Sequence, residues 1–89
     1  MQIRVVVKWF AERMENKLMQ NEHKNGWRNM SIEDLYARML DEVSELQSEI
    51  NFPDQDKDAI IKECADVANF ALMIADVVQK KSEGLKTDE

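Results

Sequence analysis

Cysteine, proline, histidine and glycine are almost missing from this 89-residue chain, which has one Cys, one Pro, one His and two Gly. With Cys64 alone no intramolecular disulfide can form, and a reducing compartment is the default. Its apolar neighbours make Cys64 a small core residue instead of an activated thiol. Little Gly and Pro means few turns, so the composition is that of a helical, soluble protein. A lone histidine, His23, excludes the Glu-x-x-His pairs that a carboxylate-bridged di-iron bundle requires. No apolar run reaches the length of a membrane span and no signal-peptide pattern opens the chain, so the expected location is cytoplasmic. A chain this short holds one small domain whose core is marginal alone. We place that domain at residues 1–82, with a polar tail at 83–89.

What is abundant is charge, at 34% of residues, with a net charge of −6. It is unevenly spread. From Asp41 to Asp66 there are nine acidic and two basic residues, a balance of −7, which leaves the remainder near neutral. Binding of a nucleic-acid polymer through that half is disfavoured, because its phosphates would meet like charge. A small phosphate ligand bridged by a metal ion is compatible with it.

Three helices are expected. Ile3, Val6, Val7, Phe10, Met14 and Leu18 form an amphipathic stripe between Gln2 and Gln20. Val5-Val6-Val7 has strand propensity, which weakens the first turn. Trp9 falls off the stripe and suggests a second neighbour. Residues 21–30 (NEHKNGWRNM) read as a loop with Asn25-Gly26 as its turn. Ser31, followed by Glu33 and Asp34, is a helix start. The second helix carries Ile32, Leu35, Tyr36, Met39, Leu40, Val43, Leu46 and Ile50 on one stripe, bordered by Glu42, Glu45 and Glu49. Pro53 lies in the connector Asn51–Asp56, and Asp54 or Asp56 can cap a third helix from about Lys57. From Cys64 to Val78 the only polar residues are Asp66, Asn69 and Asp76. A helix so apolar must be covered on nearly every side, and two partner helices in one chain are too few. The fold class is therefore all-α, a three-helix subunit whose helical hairpin forms a four-helix bundle core in a homodimer or homotetramer.

Two acidic pairs organise this chain. Glu42 and Glu45 are three residues apart, as are Glu63 and Asp66, so each pair shares a helix face. Counting back from the loop at about 1.5 Å per residue, Glu45 lies roughly 7.5 Å and Glu42 roughly 12 Å from the end of the second helix. Glu63 and Asp66 lie roughly 9 Å and 13.5 Å into the third. In an antiparallel hairpin Glu45 is thus level with Glu63, and Glu42 with Asp66. Four converging carboxylates need a cation or raised pKa values near neutral pH. All-oxygen donors favour Mg²⁺, with Mn²⁺ as a second choice. Asp54, Asp56 and Asp58 imitate the opening of a Ca²⁺ loop, but Ala59 and Ala65 stand where that loop needs Gly and Glu.

Glu42-x-x-Glu45, a gap of 17 residues, Glu63-x-x-Asp66 and then Asn69 resemble the ExxE…ExxD signature of the MazG-like all-α NTP pyrophosphatases. The resemblance spans roughly residues 10–78. It implies a Mg²⁺-dependent oligomer that hydrolyses nucleoside triphosphates, deoxy or non-canonical, to monophosphate and pyrophosphate, cleansing the nucleotide pool. By position it implies Glu42, Glu45, Glu63 and Asp66 as metal ligands and Asn69 as a contact to sugar or phosphate. On that reading Glu45 is the catalytic base for water. Lys17, Lys24 and Arg28 are candidates to hold phosphates, Trp27 to stack on a base and His23 to contact it. The alternative is a non-catalytic metal- or nucleotide-binding helical dimer acting as a regulatory or interaction module.

Overall fold

A computed structural model describes residues 1–20 and 26–82, and among them the chain forms three helices and no strand. The tail at 83–89 and the turn residue Asn25 lie outside the described residues. The helices are α1 (Val5–Gln20), α2 (Ile32–Asn51) and α3 (Lys57–Ser82). Among the described residues no helix is long and apolar enough to cross a membrane.

Each boundary has a local cause. The helix α1 starts at Val5, two residues after the first residue of its apolar stripe, with Val7 and Lys8 N–H donating to the Arg4 carbonyl. No side chain caps it and its first turn holds no acid, so nothing local favours extending it through Gln2. The Ser31 hydroxyl accepts from Asp34 N–H at 3.0 Å and starts α2. Phe52 ends it in an extended conformation, as the residue before a proline must. The Gln55 side chain then donates to the freed Ile50 carbonyl at 2.7 Å. Asp56, rather than Asp54, caps α3 by accepting from Asp58 and Ala59 N–H.

The longest helix, α3, lies between the other two, and α1 and α2 do not pack on each other. Cross-helix contacts set the directions. Glu42 meets Glu63 while Trp27, just before α2, meets Asp76, so α2 runs antiparallel to α3. Lys17 meets Asp66 and Met14 meets Asn69, so α1 is antiparallel to α3 as well.

The core is thin. Among the described residues only Leu35, Ala65, Asn69 and Val77 are buried, and Leu35 is the one large side chain fully enclosed. The broad apolar stripe expected of α2 is split by the structure. Leu35 is buried and Ile32, Met39 and Leu46 are half-buried, with Glu42 and Glu49 half-buried beside them. Tyr36, Leu40, Val43 and Ile50 face outward, each at least 40% exposed. One neighbouring helix covers a narrower arc than the apolar residues occupy. The same holds in α3, where Leu72 and Val78 are exposed. Cys64 is half-buried and free.

Candidate metal centre

The three polar residues of the apolar part of α3 each have a partner on another element. Asp66 pairs with Lys17 at 3.5 Å. The Asn69 amide, 4% exposed, donates to the Met14 carbonyl at 3.0 Å. Asp76 accepts from Trp27 Nε1 at 3.0 Å and from Arg28 Nε at 3.1 Å. Burial alone would raise the Asp76 pKa, but these two hydrogen bonds and the Arg28 charge outweigh it and hold the carboxyl below its ordinary value. Such donors turn a buried acid from a liability into a tie between elements.

One turn before Asp66 the situation is the opposite. Glu42 and Glu45 of α2 and Glu63 of α3 bring carboxylate oxygens to within 4.8 Å of one another. Burial, the hydrogen bond with Glu42 and the charges of Glu45, Asp66 and Glu42 push the Glu63 carboxyl up to about 7. Glu42 is raised too, by burial and the charges of Asp66 and Glu45, against the Glu63 hydrogen bond and the Lys17 charge. In that bond protonated Glu63 donates to Glu42. The Glu63 oxygen Oε1 is buried with no hydrogen-bond partner, a condition that costs about 1–3 kcal/mol. Glu45 is exposed and forms the open side of the cluster.

The donor set fits a hard divalent cation. Oxygens on opposite sides of a Mg²⁺ ion are about 4.2 Å apart, so small rotamer changes would bring this trio around one ion. A cation there would satisfy Glu63 Oε1 and remove the repulsion that raises Glu42 and Glu63. Asp66 stands beside the trio, close enough for its charge to act on both glutamates, while one oxygen engages Lys17.

The remaining residues implied by the resemblance do not all gather here. Lys17 is at the site's edge through Asp66. Asn69 sits in the seam between α1 and α3 with its Oδ1 buried and unpartnered. Trp27 and Arg28 are ten residues further along α3, at Asp76, roughly 15 Å from Asp66 along the axis. His23 and Lys24 lie outside the described residues. Sequence reasoning missed the structural roles of Asp76 and Asn69, although their isolation in an apolar helix was the signal that each needs a partner. No family model, curated protein or solved structure matches this chain.

Proposed function

We propose that the protein is a Mg²⁺-dependent nucleoside triphosphate pyrophosphohydrolase, releasing pyrophosphate from deoxy or non-canonical nucleotides. The observation that carries this reading is the convergence of Glu42, Glu45 and Glu63 from two helices, with a buried carboxylate oxygen left unpartnered. An acid cluster kept only for stability would be supplied with donors, as Asp76 is. Glu42, Glu45 and Glu63 would hold the metal, with Asp66 completing the set when it is released from Lys17. Bound Mg²⁺ supplies neutralisation of the triphosphate charge and a lower pKa for a coordinated water. Glu45, exposed at the mouth, is placed to accept the proton of the attacking water. Lys17 carries positive charge to the rim and steadies the phosphates.

The working unit in this reading is a homodimer or homotetramer built on a four-helix core. Its support is the thin core of the single chain and the outward apolar face of Tyr36, Leu40, Val43 and Ile50 on α2 with Leu72 on α3. Several large apolar side chains exposed along one helix mark candidate association surfaces. Placing a charge there by Leu40→Asp should convert the oligomer to monomer in sedimentation. A wild type that sediments as a folded monomer overturns this part.

The hydrolase reading is tested by pyrophosphate release from a panel of canonical and modified nucleoside triphosphates, with Mg²⁺ and with chelator. Metal-dependent release from any member supports it. Silence across the panel, with Mg²⁺ still raising the melting temperature, replaces it with the non-catalytic binding module.

A further inference from the structure

A groove of about 440 Å³ runs between α1 and the first half of α3, beside the carboxylate cluster and separate from it. Its lining includes Arg13 and Lys17 from α1 and Lys57 and Lys62 from α3, with Asp58 as the only acid among the described residues. This is unexpected in a chain of net charge −6. The four cations come from stripes that the helix period places on facing sides: 9, 13 and 17 on α1, and 57, 58, 61, 62 and 65 on α3. Taking the Lys17–Asp66 and Met14–Asn69 contacts as register, the cations spread along the groove over roughly 20 Å. Lys17 joins the groove to the acidic site, since its partner Asp66 stands beside Glu63.

Two features at the α1 wall point to a ligand. The Arg13 guanidinium lies over the Trp9 ring, 5.5 Å from its centre, which holds its position. Its Nε is buried without a hydrogen-bond partner, and the contact to Glu12 is long at 3.7 Å and solvent-exposed. A fixed guanidinium with donor capacity to spare, in line with lysines, suits phosphate oxygens.

We propose that this groove is a phosphate-binding cleft that takes the phosphate chain of the nucleoside triphosphate, with Arg13 and Lys62 as its principal contacts. The nature of the ligand rests on the hydrolase reading; the groove's preference for a polyphosphate anion does not. The division of labour is simple: carboxylates hold a cation on one side of Lys17, and bases hold phosphate on the other.

The test uses inorganic pyrophosphate as probe, titrated calorimetrically into the full chain without metal. Wild type should bind it with an affinity that falls steeply with salt, and the double variant Arg13→Gln/Lys62→Gln should lose at least about 10-fold. Lys62 is exposed and Arg13 half-exposed, and circular dichroism checks that the variant is folded. The control Lys80→Gln/Lys81→Gln removes the same charge at the far end of α3 and should bind within about twofold of wild type. No binding by wild type, equal affinity in the groove variant, or an equal loss in the control overturns the proposal. The two readings fail separately. Nucleotide turnover with an unchanged KM in the groove variant sinks the cleft and leaves the hydrolase. Pyrophosphate held by the groove with no turnover of any nucleotide leaves the cleft and sinks the hydrolase.

Discussion

The two halves of α3 treat a partly buried acid in opposite ways. In the second half Asp76 receives two donors from Trp27 and Arg28 and is held in its charged form. In the first half the groups that act on Glu63 are Glu42, Glu45 and Asp66, its Oε1 has no hydrogen-bond partner among the described residues, and its carboxyl rises to about 7. The first arrangement lowers the energy of the fold and closes the loop before α2 onto α3. The second raises it, a cost that protonation of Glu63 relieves and that binding of a cation would also offset. The contrast separates an acid whose donors tie two elements together from a trio of acids left without such donors, and the proposed metal site rests on that trio.

The strongest way to break this contrast is Glu63→Gln. Removing a ligand from the trio should lower Mg²⁺-dependent pyrophosphate release by at least about 100-fold, with helicity unchanged by circular dichroism. The rise in melting temperature on adding Mg²⁺ should also vanish. Full activity in this variant would remove the site assignment.

Asp76→Ala tests the other half. Losing both bonds should cost about 2 kcal/mol, or roughly 10 °C in melting temperature for a domain of this size. The Mg²⁺-induced increment should persist on the lowered baseline. If it disappears along with the stability, the two halves are not independent and the comparison fails.

The smallest expected effect is the pH dependence of the metal-free protein, and its sign is distinctive. The folded-state pKa of Glu63 is about 7, above its ordinary value of 4.5. Between those values the native state holds a proton that the unfolded state has released, so stability falls as pH rises through the window. Discounted for solvent screening, the loss is about 1 kcal/mol, a few degrees in melting temperature. Glu63→Gln should flatten the slope, and Mg²⁺ at pH 7.5 should offset it. Asp76 works in the opposite sense: its contribution is complete above 3.8 and is lost as pH falls through its lower folded value. A melting temperature that climbs from pH 5 to pH 7.5 without metal would contradict the proton-sharing of Glu42 and Glu63.

Much of this was legible in the residue pattern because helices convert spacing into geometry. The Ser31 and Asp56 caps bound α2 and α3 as the local signals require, and Phe52-Pro53 forces the break between them. Counting rise per residue sets Glu45 level with Glu63 and Glu42 with Asp66; in the structure Glu42 as well as Glu45 meets Glu63, so the count is right only to within about one turn. Level along the axis was readable; direction around it was not. Three residues advance a helix by about 4.5 Å and also leave it about 60° short of a full turn. Asp66, at the same face as Glu63 in a coarse reading, is rotated toward α1, and there it meets Lys17. The same limit applies to Asn69 and Asp76. Their need for partners was implicit in the apolar run around them, but the partners belong to other elements, 55 and 49 residues distant in sequence.

By itself, the sequence determined the all-helical class, the caps, the hairpin loop and, to within about one turn, the level at which the carboxylates stand, because propensity, capping and rise act over a few residues. Only the tertiary structure decided which acids converge, which are neutralised by donors, and that Arg13, Lys17, Lys57 and Lys62 line one groove. Those outcomes depend on the rotation of α1 and α2 about α3, which is set by side chains far apart in the chain.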